Sequence, residues 1–165
     1  MRRNTIDRIR DKILNQDQLK KILSQIRAEE QSVVFSNGCF DLVHLGHIEY
    51  LSKAADLADV FILGLNTDES VQRLKGTKRP LQDQKSRAML MASLSFIDYV
   101  VLFNEDTPYE LIQTVQPDVL VKGDDYKIEE VVGFDIVQKK GGKVITIELT
   151  KGYSTTNIVE KIKNS

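Results

Sequence analysis

One pattern limits what this chain can fold into more than any other: an alternation that starts at residue 32. Short apolar runs rich in β-branched residues occur at Val33–Ser36, Val60–Leu65, Tyr99–Phe103, Val119–Val121 and Lys143–Glu148. Stretches with helical spacing separate them, at about 45–58, 68–75, 83–96, 107–115 and 128–140, and a last helix is predicted from Ser154. The apolar runs are continuous, which suits strands covered on both faces. Strands alternating with helices build right-handed βαβ units. The expected fold is α/β, a Rossmann-like, doubly wound, five-stranded parallel sheet with helices on both faces. Gly141-Gly142 is placed to stop a helix before the fifth run. Sheets of this kind bind ligands beyond the carboxyl ends of their strands. Chemistry is therefore expected just after each apolar run.

Ahead of the alternation, residues 1–31 read as an N-terminal helical extension to a domain spanning 32–165. Leu19, Ile22, Leu23 and Ile26 mark one helix face there, suited to packing on the domain or on a second subunit. The 165 residues carry 23 Lys and Arg against 24 Asp and Glu. That balance gives no support for nucleic-acid binding or a polybasic membrane anchor. An anion site must come from local placement of cations. One cysteine, Cys39, excludes an intramolecular disulfide and fits a reducing compartment. No apolar run approaches the ~18 residues of a spanning helix, and no signal peptide is evident, so a cytoplasmic location is expected.

Both histidines of the chain lie in the segment after the first run, Asn37-Gly38-Cys39-Phe40-Asp41-Leu42-Val43-His44-Leu45-Gly46-His47. Gly38 permits close approach of backbone to a ligand. A helix start near Leu45 offers free N–H groups and a favourable dipole to an anion. Two imidazoles beside it can donate to phosphate oxygens. A metal pair lacks a third ligand at a diagnostic spacing. Cys39 is read as a small core residue more readily than as a nucleophile. The plainest alternative is a pair of structural histidines at a helix cap.

Three further segments fall on the expected ligand edge. Lys75, Lys78, Arg79 and, further on, Arg87 supply cations suited to phosphate oxygens, although a solvated basic loop explains them equally well. Val121-Lys122-Gly123-Asp124-Asp125-Tyr126 can read a base or ribose edge or help place Mg²⁺, or can be a simple Asx turn. Gly152-Tyr153-Ser154-Thr155-Thr156-Asn157-Ile158 is either an ordinary helix cap or a phosphate cradle.

The segment from Gly38 to His47 resembles the GxFDxxHxGH signature of the cytidylyltransferase-like nucleotidyltransferases. Within that family, Lys75-Gly76-Thr77-Lys78-Arg79-Pro80 followed by Arg87 is similar to the adenylyltransferase domains that make ADP-heptose. Val121–Tyr126 resembles their VKGGDY string, with Asp124 departing from the second glycine. Gly152–Ile158 resembles the family's G-x-STT-x-I motif. Leu149 stands where the glycerol-phosphate cytidylyltransferases carry an arginine, a departure the heptose enzymes share. The resemblance covers about Val33 to Ile162. It implies transfer of AMP from ATP to a heptose 1-phosphate with release of pyrophosphate, giving ADP-heptose for lipopolysaccharide core synthesis. A glycerol-3-phosphate cytidylyltransferase using CTP is the alternative, and a nucleotide-binding module without turnover a third reading. The implied catalytic residues are His44, His47, Lys75 and Arg87. Gly38, Cys39, Phe40, Asp41, Gly46, Gly123, Asp125, Ser154, Thr155 and Thr156 would bind nucleotide, and Lys78 and Arg79 the acceptor or pyrophosphate. Mg²⁺ would arrive with ATP, with no protein metal ligand assigned. A homodimer and a separate sugar kinase supplying substrate are also implied.

Overall fold

In the computed structural model, which describes residues 4–125 and 127–165, the alternation closes into one parallel sheet. Its strands are β1 (Ile13–Leu14), β2 (Val33–Gly38), β3 (Val60–Asn66), β4 (Tyr99–Phe103), β5 (Val119–Gly123) and β6 (Lys143–Ile147). The helices are α1 (Thr5–Arg10), α2 (Gln16–Ala28), α3 (Leu45–Ala55), α4 (Asp68–Lys75), α5 (Gln84–Ser93), α6 (Tyr109–Val115), α7 (Phe134–Lys140) and α8 (Thr155–Lys163). Strand order is β1-β4-β3-β2-β5-β6, and every pair is parallel. The chain winds outward from β2 through β3 to β4, then crosses back to β5. The switch point therefore lies between β2 and β5, where such sheets hold their ligands.

Alternate residues of the central strands face opposite layers. Phe35, Ile62 and Leu120 pack with Leu19 and Leu23 of α2, Leu111 and Ile112 of α6, and Val137 of α7. Val34, Leu63 and Val121 pack with Tyr50 and Leu51 of α3 and Met91 of α5. Both layers are apolar and buried, which is why the strands read as unbroken apolar runs.

The sheet has six strands where the sequence pattern predicts five. The sixth is β1, which pairs Ile13 with Val100 and Leu14 with Val101. Two residues carry no period, so no sequence pattern announces it. The segment before residue 32 thus contributes an edge strand as well as helices. α2 starts at a capping box in which the Asn15 amide donates to Gln18 Oε1 and the Gln18 amide donates to Asn15 Oδ1, both at 2.9 Å. The helix predicted at 128–140 is split into a 3₁₀ turn at Ile128–Glu130 and α7. Gly133 between them has φ +89°, outside the right-handed helical region, and an added Cβ would lie 2.8 Å from Ile112.

Candidate active site

A cleft of about 460 Å³ opens at the carboxyl ends of β2 and β5, at the switch point. Gly38, Cys39, Phe40, Asp41, His47, Lys75, Gly123, Asp125 and Thr155 all line it. Segments more than a hundred residues apart in sequence meet here because the parallel strands all end on one edge.

His44 is the N-cap residue of α3 and His47 lies one turn into it. Their rings stack, with centroids 3.8 Å apart and planes 18° from parallel, and Phe40 meets His47 edge-on at 5.1 Å. The Nδ1 atoms of both rings are buried without a hydrogen-bond partner among the described residues. Burial, the neighbouring His44 and then Lys75 push His47 down to about 4, against the pull of the Leu42 carbonyl. Burial likewise lowers His44. Both imidazoles are therefore neutral at pH 7 and act as dipolar donors or acceptors. Gly46 makes the stack possible: a Cβ there would lie 3.2 Å from His44 Nδ1 and 3.4 Å from Tyr153 Cβ.

Asp41 is 3% exposed and holds the following loop. Its carboxylate accepts from Arg79 Nη1 at 2.6 Å and from the Leu81 and Gln82 amides at 2.7 and 3.0 Å. Burial works to raise its pKa, but the two amides and the guanidinium outweigh it and leave the group below its usual range. In this structure Arg79 is paired with Asp41 through Nη1.

Arg87 lies deeper than its neighbours in the basic cluster. It was expected to act on phosphate, yet it is fully buried. Its Nη1 donates to the carbonyls of Cys39 (2.7 Å) and Asn66 (2.8 Å), its Nε to that of Gln82 (3.0 Å), and its Nη2 to Asp68 Oδ1 (2.7 Å). Its guanidinium ties together the ends of β2 and β3 and the loop before α5. Sequence proximity to Arg79 gave no sign of this, because α5 turns Arg87 inward onto the sheet. Lys78 is exposed and does not line the cleft, whereas exposed Lys75 does.

Gly123 ends β5, and a Cβ there would lie 2.8 Å from Asp125 Oδ1 and 3.1 Å from Leu149. Tyr126 lies outside the described residues. Ser154 caps α8, accepting from the Asn157 amide at 3.0 Å, and the Thr155 hydroxyl donates to the Leu42 carbonyl at 3.4 Å. That contact docks the start of α8 beside the start of α3, while Thr156 is exposed and outside the cleft. Burial, opposed by Lys75 and Arg87, raises the Cys39 thiol, so it stays protonated at neutral pH and is a poor nucleophile.

Four more residues line the cleft: Asn37 and Lys122, which precede the glycines of their segments, and Tyr50 and Asn66, which lie outside every motif. The Tyr50 hydroxyl lies 2.8 Å from Ser36 Oγ, and burial pushes its pKa up to about 12. Lys122 is half-buried and donates to Asn37 Oδ1; burial pulls it down to about 8 despite Asp125 and Cys39. Its signal was present in the sequence, as a lysine directly after the apolar run Val119–Val121.

A switch-point cleft of nucleotide size, with neutral imidazoles at one helix start and a second helix start docked beside it, defines a phosphate-handling α/β protein of the nucleotide-binding class. The chain belongs to the cytidylyltransferase-like family, whose model matches residues 35–161, and is a nucleotidyltransferase. The bifunctional protein HldE of Syntrophotalea carbinolica is 54% identical over 151 residues, 92% of this chain and 31% of that protein. HldE of Trichlorobacter lovleyi is 56% identical over the same shares. The chain thus spans about a third of the length of the curated relatives it matches. A solved structure of a lipopolysaccharide core biosynthesis protein from Thermoplasma volcanium is 31% identical, covering 75% of this chain and 99% of that one at a TM-score of 0.60. A pantoate–β-alanine ligase from Francisella tularensis shares the fold at 20% identity, with a TM-score of 0.60 over 92% of this chain and 76% of that one.

Proposed function

We propose that this chain transfers AMP from ATP to a heptose 1-phosphate, releasing pyrophosphate and giving ADP-heptose for lipopolysaccharide core synthesis. The observation that carries the transfer chemistry is the neutral, stacked His44–His47 pair, whose Nδ1 atoms are unpartnered at the start of α3. The choice of heptose rests on the sequence motifs and on the relatives' names. A lipopolysaccharide role is in keeping with the Thermoplasma protein.

An oxygen of the sugar phosphate attacks the α-phosphorus of ATP in line. The new P–O bond forms as the bond from that phosphorus to the α,β-bridging oxygen breaks, and pyrophosphate leaves with the electron pair. The protein lowers the barrier by positioning and by meeting charge on the bridging oxygen. A neutral imidazole N–H from the histidine pair serves that oxygen. Lys75 at the rim meets the outgoing pyrophosphate, and the α8 start at Thr155 lies beside the nucleotide. Among the described residues no three His, Cys, Asp or Glu side chains converge as a metal cage. Mg²⁺ would instead ride on the phosphate oxygens of ATP, lowering their charge. A kinase reaction supplies the sugar 1-phosphate.

Pyrophosphate release, measured with ATP or CTP against heptose 1-phosphate, hexose 1-phosphates and glycerol 3-phosphate, tests this reading. Release with ATP and heptose 1-phosphate is expected. Release only with CTP and glycerol 3-phosphate would overturn it.

A further inference from the structure

The cleft has two halves, and the roles above fill only one of them. The histidines sit at the start of α3, which covers the sheet face carrying Val34 and Val121 and packs Tyr50 onto it. The Thr155–Leu42 contact and a hydrogen bond from Thr150 to Glu49 hold the start of α8 on that same side. The other half lies over the opposite face. The two-residue period of a strand sets Asn37 with Phe35 on β2, and Lys122 with Leu120 on β5, toward the layer of α6 and α7. Asn37 and Lys122 form the floor there, with Thr107 and Val131 from the loops before α6 and α7 on the walls.

Charge within the cleft is unevenly committed. Arg79 and Arg87 are paired with Asp41 and Asp68. The histidines are uncharged at neutral pH. Lys75 is exposed at the rim. Lys122 is the floor cation, and among the described residues its one hydrogen-bond partner is the neutral Asn37 amide oxygen. An ammonium has three donors, so two remain for a ligand. Asp125 acts on it through space without a hydrogen bond, so the ammonium keeps donors for an arriving anion, which would offset more of the cost of its burial.

We propose that Lys122, oriented by Asn37, binds a phosphate oxygen of the acceptor in the half of the cleft on the α6 side, and so sets which phosphorylated sugar is accepted. The inference rests on the transfer reading above and assigns a subsite within it. The ammonium holds the nucleophilic phosphate at the switch point, facing the nucleotide half across the ends of β2 and β5. Thr107 lines the same half of the cleft, where sugar hydroxyls would follow.

Lys122→Met and Lys122→Arg test it. Heptose 1-phosphate and ATP are each titrated by calorimetry into wild type and variants, with the acceptor titration run without nucleotide. Lys122→Met should weaken acceptor binding about thirtyfold, the size expected for losing one charge-assisted contact. ATP affinity should stay within about twofold, and the melting temperature should not fall, because methionine fills similar volume without a charge to desolvate. Lys122→Arg should recover most of the acceptor affinity. Unchanged acceptor binding in Lys122→Met would overturn the proposal. So would an equal loss of ATP, which would assign Lys122 to the nucleotide. Wild type that binds heptose 1-phosphate yet releases pyrophosphate only with CTP would sink the adenylyl reading alone, since the acceptor titration contains no nucleotide.

Discussion

Arg87→Met separates a strut from a phosphate ligand. Arg87 is wholly buried and makes four N–H···O contacts, three to the carbonyls of Cys39, Asn66 and Gln82 and one to the Asp68 carboxylate. Methionine keeps much of the apolar volume but donates nothing. Three carbonyls then lose a donor, and Asp68 loses its partner at the mouth of α4. Each buried carbonyl left dry costs about 1–3 kcal/mol, and water entering from the cleft recovers part of that, so the net loss is about 3–5 kcal/mol. For a domain of this length that corresponds to a melting temperature lower by about 6–20 °C. Urea unfolding of wild type and variant gives the stability difference, and calorimetry at a temperature where both are folded gives ATP affinity. The strut reading requires the full stability loss with ATP affinity reduced less than about tenfold. A variant that loses under about 1 kcal/mol of stability while ATP affinity falls more than about thirtyfold would refute it, because the guanidinium would then be meeting phosphate.

Other outcomes follow from the histidine pair. His44→Ala and His47→Ala should each cut turnover by at least about a hundredfold, as read by pyrophosphate release, with little change in melting temperature, because each ring has an unsatisfied buried nitrogen. His47 is held near 4 in the folded protein against 6.5 for the free group, so below pH 6.5 the unfolded chain binds a proton that the folded chain refuses. Stability should therefore be level in this respect above about pH 6.5 and fall as pH drops toward 4; His47→Gln should flatten that part of a urea-midpoint profile, and an unchanged slope would count against the burial argument. Gly46→Ala should leave stability within about 1 kcal/mol of wild type, alanine being the better helix former, yet lower turnover by displacing His44.

Much of this architecture is legible from periodicity. Five of the six strands appear as apolar runs because helices cover both faces, and Tyr99–Phe103 matches β4 residue for residue. β1 escapes because two residues cannot show a period. The loop from Gly38 to His47 is readable because both histidines fall together beside a helix start. Arg87 and Lys122 show where such reading stops. Arg87 looks like a member of a basic cluster, but the rotation of α5 decides that it points at carbonyls. Lys122 looks like a strand terminus, but the register of β5 against β2 decides that it meets Asn37 on the cleft floor. Direction of a side chain is a tertiary fact, and local pattern encodes it only where one face is plainly apolar.

The shortness of β1 has a consequence for the company the sheet can keep. An edge strand with a long row of free backbone groups invites another chain to pair with it. Here the β4 side ends in two residues, with α1 and α2 entering and leaving immediately on either side. Lys12, just before it, anchors its ammonium on the Ile97 carbonyl at 2.6 Å. That border presents too little continuous backbone to template an added strand, so misassembly through it is discouraged by brevity rather than by repulsive charge.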